Sequence, residues 1–202
     1  MNTFWAEIFG NPQPVEVEIG AGTGAFILAA ARRSPQVNFF GVERSYRRIA
    51  QIRSAIDTSG VHNLRVIATD GACLVETLIP ANSVRAYHVY FPDPWWKRRH
   101  HRRRLFTPEF TAALGRTLQP GGHLYVATDV DETFELILRR VGTDGQLAID
   151  VSAPPTRTVT TVFERKGLAR GGLIREAAFL KPPAQTAHTS SAAPITPAES
   201  PS

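Results

Sequence analysis

Short apolar runs alternate with longer mixed segments along most of the chain. Five runs are rich in β-branched and aromatic side chains, which is typical of buried strands. They span residues 15–19, 37–43, 64–70, 84–91 and 123–128. Each run is followed by a segment rich in helix formers. These segments span residues 26–33, 46–58, 72–78, 108–118 and 132–141. The alternation predicts an α/β domain with a mostly parallel sheet and helices on both faces.

The pattern changes toward the C-terminus. Gln-Pro-Gly-Gly at residues 119–122 predicts a turn before the fifth strand, and residues 147–151 predict a sixth strand. Residues 158–163 and 173–179 predict an antiparallel pair of strands. We therefore expect the parallel strands of the first part of the chain to be followed by antiparallel strands.

The composition indicates one globular domain followed by a polar tail. Hydrophobic residues make up 43% of the 202 residues, which is an ordinary value for a globular protein. Of the last 21 residues, 17 are Pro, Ala, Ser or Thr. This segment has too few large apolar side chains for their burial to offset the entropy lost on ordering the chain. We therefore expect a single domain over residues 1–181 and a disordered tail over residues 182–202.

Cysteine content and hydropathy indicate the compartment. Cys73 is the only cysteine, which excludes an internal disulfide and favours a reducing compartment. The chain has no apolar run of about 18 residues that could span a bilayer, and it does not begin with a basic-then-apolar signal pattern. We expect a cytoplasmic protein without a membrane contact, and the sequence is compatible with either a monomer or a homodimer.

The first strand leads directly into a glycine-rich turn, Glu-Ile-Gly-Ala-Gly-Thr-Gly at residues 18–24. Gly20, Gly22 and Gly24 allow the backbone to turn tightly beneath a ligand. The glycines also satisfy a relaxed dinucleotide fingerprint, so they do not by themselves distinguish NAD from S-adenosylmethionine. The acid Glu18 just ahead of the turn would repel a pyrophosphate, and it suits a ligand with a cationic amino-acid end.

The next two strands also end in acids. Glu43 can accept both hydroxyls of a ribose through its two carboxylate oxygens, and Asp70 can accept an adenine amine. A single acid at a strand end is more often a solvated turn or a helix N-cap. Acids at three successive strand ends after a glycine turn favour a nucleoside-type cofactor, and within that class S-adenosylmethionine over NAD.

Residues 90–105 combine a lone acid, two tryptophans and a basic run. Asp93 follows the fourth strand between two prolines, which stiffen its position. Because ligands of open α/β sheets bind outside the carboxyl ends of the strands, Asp93 is expected to face the cofactor crevice. Trp95 and Trp96 offer flat surfaces on which a base can stack. A tryptophan pair is, however, also typical of a hydrophobic core.

The positive charge of the chain is concentrated in the same stretch. Between Lys97 and Arg104 there are six Lys or Arg and no acid; removing these six from the 23 Lys and Arg of the chain leaves 17, against 18 Asp and Glu. Such a run can neutralise the phosphates of a nucleic acid, although it is also typical of a solvated helix face or a localisation signal. The predicted phosphate contacts are Arg98, Arg99, Arg102, Arg103 and Arg104.

Two histidines lie within the basic run. His100 and His101 are potential zinc ligands, but the chain has one cysteine and no suitably spaced His or acid near them. We therefore expect no metal site.

Taken together, these motifs resemble those of the bacterial tRNA (guanine-N7-)-methyltransferases. The resemblance extends over residues 5–180 and rests on the glycine turn, the acids Glu43, Asp70 and Asp129, the stretch from Phe91 to Leu105, and Thr-Val-Phe-Glu-Arg-Lys-Gly at residues 161–167. It implies a class I S-adenosylmethionine-dependent methyltransferase, with a Rossmann-like, mostly parallel seven-stranded sheet and helices on both faces. It also implies S-adenosylmethionine as methyl donor and N7 of a guanosine in the variable loop of tRNA as acceptor.

The resemblance implies roles for individual residues. Asp93 takes the catalytic position. Cofactor contacts are implied for the acids and glycines of the strand ends: Glu18, Gly20, Gly22, Gly24, Glu43, Asp70 and Asp93. Substrate contacts are implied for Lys97, Asp129, Thr161, Val162, Phe163 and Glu164. Val162 stands where the family often has a basic residue, so we expect a weaker substrate contact there.

Two other functions are compatible with the sequence. One is a class I methyltransferase that acts on another nucleic acid or on a small molecule; it would bind S-adenosylmethionine without preferring tRNA. The other is a non-catalytic RNA-binding relative, which would bind tRNA but not S-adenosylmethionine.

Overall fold

The computed structural model describes residues 3–94, 104–153 and 173–183. This part of the chain contains seven strands and six helices, numbered here in chain order. The strands are β1 (Val15–Ile19), β2 (Asn38–Glu43), β3 (Leu64–Ala68), β4 (Val84–Tyr90), β5 (Leu118–Thr128), β6 (Ala148–Ile149) and β7 (Arg175–Leu180). The helices are α1 (Thr3–Phe9), α2 (Ala25–Arg33), α3 (Tyr46–Ser59), α4 (Gly71–Thr77), α5 (Pro108–Thr117) and α6 (Asp131–Asp144).

The seven strands form one sheet in the order β3-β2-β1-β4-β5-β7-β6. Neighbouring strands among the first five are parallel, whereas β7 runs antiparallel to both β5 and β6. This arrangement confirms the predicted α/β fold with a mostly parallel seven-stranded sheet. The strand order reverses between β1 and β4, and such a switch point opens a crevice outside the carboxyl ends of the strands.

Side chains that alternate along the strands cover both faces of the sheet. The register places Val17, Tyr87, Leu124 and Phe179 in one row across β1, β4, β5 and β7. All four are buried in the larger of two hydrophobic clusters, which also contains side chains from α1, α4, α5 and α6. The second cluster includes side chains of α2 and the partly buried Ile56 of α3. Helices therefore lie on both faces, as predicted.

Three helices begin at residues whose side chains accept a backbone N–H from the first turn. The acceptors are Ser45 for α3, Asp70 for α4 and Thr107 for α5. In α5, Pro108 occupies the first turn, where its missing N–H leaves no hydrogen bond unmade. These caps fix where α3, α4 and α5 begin, each of them close to the carboxyl end of the sheet or to the loop after β4.

The predicted turn at residues 119–122 is wrong, because these residues belong to β5. Gly121 has φ +78 and donates its N–H to the carbonyl of Lys181, while Lys181 donates to the carbonyl of Gly122, both at 2.9 Å. On its other edge the strand shifts register between Val84 and Ala86. The Pro-Gly-Gly sequence therefore forms an irregular, bulged part of a strand, and the pairing with β7 holds it there.

The C-terminal strands are shorter than expected, and one predicted pairing among them stays untested. The predicted sixth strand at residues 147–151 is reduced to Ala148–Ile149. The observed partners of β7 are β5 and β6, whereas its predicted partner at residues 158–163 lies outside the described residues. Most of the predicted tail, from residue 184 onward, also lies outside them.

In the described part of the chain, the longest helices are α3 and α6, with 14 residues each. At 1.5 Å per residue each is about 21 Å long, shorter than the roughly 30 Å hydrocarbon core of a bilayer. None of the described helices combines the length and the apolar character that a membrane crossing requires.

Candidate active site

A cavity of about 720 Å³ lies at the carboxyl ends of the strands on either side of the switch point. Its volume is within the usual range for small-molecule sites, about 300–1,000 Å³. Most of the predicted cofactor residues line it, namely Glu18, Gly20, Gly22, Glu43, Asp70 and Asp93. The structure thus brings together at one cavity the acids that lie at or just after the carboxyl ends of β1, β2, β3 and β4.

The glycine turn forms the floor of this cavity. The N–H groups of Gly20 and Ala21 both donate to the carbonyl of Val42, at 2.8 and 2.9 Å. Gly22 has φ +56, a left-handed conformation that favours glycine. A Cβ built on Gly20 would meet no heavy atom within 4 Å, so the space above the turn is open to a ligand.

Gly24 does not line the cavity, and its role is in helix packing. Its φ is +77, and a Cβ there would lie 2.8 Å from Cγ1 of Ile52 on α3. The third glycine of the motif therefore allows α2 and α3 to pack closely.

Glu43 is held by backbone donors from two sides. Its Oε2 accepts the N–H of Gly22 and its Oε1 accepts the N–H of Ser45, both at 2.9 Å. The guanidinium of Arg48 lies 3.5 Å from Oε2. A ligand hydroxyl can bind the second lone pair of Oε1, and a neighbouring hydroxyl can replace the long Arg48 contact at Oε2.

Glu18 is the most unusual acid of the cavity. Its side chain is almost completely buried, and Oε2 has no hydrogen-bond partner among the described residues. Burial raises the pKa of Glu18, the N–H of Ile27 opposes this by donating to the carboxylate, and the charge of Glu43 adds to the rise; the pKa that results is about 8. A buried carboxylate without a countercharge is costly. A cationic group of a ligand would remove that cost.

Asp70 has two partners in the protein. Its Oδ1 accepts the N–H of Cys73 and so caps α4, which is the structural role that a lone acid at a strand end commonly has. Its Oδ2 lies 3.7 Å from Nε of Arg44. The carboxylate remains about half exposed at the cavity, so capping and ligand binding are compatible for this residue.

Asp93 is exposed at the cavity, three residues after the end of β4. The chain leaves the strand through Phe91, which has φ +51, and the N–H of Phe91 donates to the carbonyl of Ala127 at 2.7 Å. A left-handed conformation is rare for a bulky residue and is frequent at functional sites. The reversal at Phe91, followed by Pro92, directs the chain toward the crevice.

Several residues of the cavity wall were missed by the sequence analysis. They are Arg44, Arg48, Thr69, Phe26, Tyr90, Phe91 and Thr107. Phe26 and Tyr90 pack edge to face with ring centroids 4.9 Å apart. The Tyr90 hydroxyl is 2.9 Å from Nδ1 of His88, whose Nε2 is 2.9 Å from Glu16. The sequence signal for Phe26 and Tyr90 is their position alone: Phe26 follows the glycine turn, and Tyr90 is the last residue of β4.

Of the predicted substrate and phosphate contacts, the structure describes Asp129 and Arg104. Asp129 follows β5 and is exposed, but it is not part of the cavity lining. Arg104 lies beside the cavity, with its guanidinium bound to Glu132 and to the carbonyl of Pro94. The remaining predictions lie outside the described residues: Lys97, Arg98, Arg99, Arg102, Arg103, Thr161, Val162, Phe163 and Glu164. Among residues 3–94, 104–153 and 173–183, no group of three or more His, Cys, Asp or Glu could hold a metal ion.

The donors and acceptors of the cavity fit S-adenosylmethionine. The buried Glu18 is suited to the ammonium of an amino-acid end, Glu43 to ribose hydroxyls, and Asp70 to an adenine amine. A pyrophosphate would gain nothing from Glu18, because a carboxyl with a pKa of about 8 is mostly protonated near pH 7 and a neighbouring anion disfavours its ionised form further. The glycine turn is compatible with both NAD and S-adenosylmethionine. The acids of the cavity favour S-adenosylmethionine.

Comparison with known proteins gives the same result. A family model described as "Putative methyltransferase" matches residues 12–177. Among solved structures, a 16S rRNA (adenine(1408)-N(1))-methyltransferase from Catenulisporales acidiphilia, determined with its cosubstrate SAM, shares the fold with a TM-score of 0.62. It is 16% identical in sequence, and the match covers 91% of this chain and 92% of that one.

Two similar sequences extend the comparison to a particular family. The tRNA (guanine-N(7)-)-methyltransferase of Myxococcus xanthus is 39% identical over 184 residues, covering 88% of each chain. The enzyme of the same name from Nitrosomonas europaea is 34% identical over 177 residues, covering 86% of this chain and 79% of its own. The chain therefore belongs to the tRNA (guanine-N(7)-)-methyltransferase family.

Proposed function

We propose that this protein transfers the methyl group of S-adenosylmethionine to N7 of a guanosine in the variable loop of tRNA, in the cytoplasm. The observation that carries the proposal is the convergence of Glu18, Glu43, Asp70 and Asp93 on one cavity. Its carboxylates match the cofactor in kind and in order, and family membership supports tRNA as the substrate.

The first three acids would hold the cofactor. Glu18 would bind the ammonium of the methionine part, Glu43 the ribose hydroxyls and Asp70 the adenine amine. Glu43 is already fixed by the N–H groups of Gly22 and Ser45, so its carboxylate needs no rearrangement to accept hydroxyl donors. When bound, S-adenosylmethionine supplies an electrophilic methyl group on a positively charged sulfur.

Asp93 would act on the guanine. N7 of guanine already carries a lone pair, so the reaction needs no base to remove a proton from the nucleophile. The carboxylate would accept hydrogen bonds from the guanine edge, align N7 with the methyl group, and oppose the positive charge that develops on the ring. The left-handed turn at Phe91 supports this role, because it brings Asp93 to the cavity that would hold the cofactor.

The remaining predicted residues would bind the tRNA. A base must leave its stack to reach such a cavity, which favours an unpaired loop nucleotide. Asp129, at the next strand end, would contact this nucleotide together with Lys97 and residues 161–164. Arginines of the basic run would contact phosphates, and this type of contact makes binding sensitive to salt.

A methyl-transfer assay tests the proposal. Unmodified tRNA incubated with the protein and labelled S-adenosylmethionine should acquire label, and chain cleavage at 7-methylguanosine should map it to the variable loop. Asp93→Ala should abolish transfer. The control Asp57→Ala removes an exposed carboxylate of α3 that does not line the cavity, and it should transfer normally. Label on another nucleic acid and none on tRNA would refute the proposal, as would normal transfer by Asp93→Ala.

A further inference from the structure

Arg104 connects two segments at the mouth of the cavity. Its Nε donates to the carbonyl of Pro94 at 3.2 Å, and its Nη2 donates to Oε1 of Glu132 at 2.7 Å. Pro94 directly follows Asp93 in the sequence, and Glu132 lies in the first turn of α6. One guanidinium thus joins the backbone beside the proposed catalytic residue to the first turn of α6.

The environment of Arg104 differs from that of a typical phosphate contact. Its side chain is only 14% exposed, whereas its partner Glu132 is 55% exposed. A short bond between charged groups is among the stronger hydrogen bonds of a protein, and burying the guanidinium increases the cost of losing a partner. A phosphate would have to compete with Glu132 for a group that is already bound on two sides.

The same turn of α6 contains a second ion pair that serves as a comparison. Asp131 accepts a hydrogen bond from Nε of Arg175 at 2.9 Å, but these side chains are 72% and 49% exposed. Exposed pairs of this kind contribute little to stability. The two neighbouring acids therefore have different roles: Glu132 binds a largely buried arginine next to Asp93, and Asp131 forms a surface pair with β7.

We propose that Arg104 is a positioning residue, which fixes the segment of Asp93 against α6, and that it does not contact a phosphate. This inference rests on the proposed function, since it assigns to Arg104 the geometry of the methyl-transfer site. It makes an opposite prediction for Glu132: a phosphate contact would improve if the competing carboxylate were removed, whereas a positioning contact would be lost.

The experiment compares Arg104→Lys, Glu132→Gln and the double variant in steady-state methyl transfer to tRNA and in tRNA binding at several salt concentrations. Lysine keeps the charge but cannot bind Pro94 and Glu132 together in the same way. We expect kcat to fall about 10- to 100-fold in each single variant, because small displacements of reacting groups have effects of this size. The double variant should fall no further, since both changes break one contact.

Two control variants define the alternatives. Asp131→Asn removes the exposed pair on the same helical turn and should keep the wild-type kcat. Arg103→Gln removes a predicted phosphate contact, so it should weaken tRNA binding and reduce the salt slope by about 1. Arg104→Lys and Glu132→Gln should keep the wild-type slope. An unchanged kcat in Arg104→Lys, or tighter tRNA binding by Glu132→Gln, would overturn the proposal.

Amide hydrogen exchange provides a readout that does not depend on activity. The N–H of Phe91 donates to the carbonyl of Ala127, and it reports whether the start of the Asp93 segment stays in place. Exchange in a peptide containing Phe91 and Asp93 should be faster in Arg104→Lys and Glu132→Gln than in the wild type or in Asp131→Asn. Equal exchange in all four would refute the positioning role. If the wild type did not methylate tRNA, the proposed function would fail, and exchange alone would decide the role of Arg104.

Discussion

Replacing Glu18 by glutamine should separate the binding role of this residue from its effect on stability. Among the described residues the wild-type carboxyl is buried without a countercharge, and its pKa is about 8. Glutamine is similar in shape and cannot ionise. We therefore expect Glu18→Gln to bind S-adenosylmethionine more weakly and, without ligand at alkaline pH, to be more stable than the wild type.

The size of the stability effect follows from the pKa difference. Because the folded protein holds the Glu18 proton more tightly than the unfolded chain does, the free energy of unfolding falls as pH rises from 4.5 to about 8. At about 1.4 kcal/mol per pH unit, the full effect is about 5 kcal/mol. At pH 7, a cationic ligand that ionises Glu18 should release about 0.9 of a proton on binding.

Urea denaturation between pH 5 and 9 and calorimetry in two buffers of different ionisation enthalpy measure these effects. Without ligand, the wild type should lose stability over this pH range relative to Glu18→Gln. The observed binding enthalpy of S-adenosylmethionine should depend on the buffer for the wild type and should be independent of it for Glu18→Gln. Glu7→Gln, which removes an exposed carboxylate of α1, should behave as the wild type does. Parallel pH profiles for wild type and Glu18→Gln, with a binding enthalpy independent of buffer, would refute the reasoning.

Two further predictions concern stability and can be checked by urea denaturation. Burial raises the pKa of Glu16, but the hydrogen bond from His88 and nearby arginine charges outweigh it and hold the pKa below its usual 4.5. The carboxylate therefore contributes stability above pH 4.5 that is lost on acidification, and the wild type should lose its advantage over Glu16→Gln at low pH. Gly24→Ala should destabilise the protein by about 1–3 kcal/mol, because φ is +77 and the new Cβ would meet Ile52. The control Gly142→Ala, in an open position on α6, should gain up to about 1 kcal/mol; an equal effect of the two changes would contradict the argument.

The parallel part of the fold could be predicted because its signals are local. Each of β1 to β4 is a short apolar run, and all six residues of β2 are buried, as expected for a central parallel strand. The acids at or just after the ends of these strands line one crevice because the carboxyl ends of parallel strands share one edge of the sheet. Local sequence therefore indicated most of the cofactor side of the site.

The features that the sequence did not indicate all depend on partners that are distant in the sequence. Residues 119–122 have the composition of a turn, but hydrogen bonds with Lys181 hold them in β5. For Arg104 the phosphate contact stays a prediction, and the sequence does not indicate its hydrogen bond to Glu132, which lies 28 residues away. Nothing in the sequence indicates that Phe91 adopts a left-handed conformation, because this follows from the hydrogen bond to Ala127 on the neighbouring strand.

The carboxylate of Glu43 has a consequence for the thermodynamics of ligand binding. Its bonds to the N–H groups of Gly22 and Ser45 fix the glycine turn to the end of β2 without any ligand. Glycines lose more conformational freedom than other residues when they are ordered, and here that loss occurs during folding. A nucleoside that enters the cavity meets a preorganised backbone, so its affinity is not reduced by the entropy of ordering the turn.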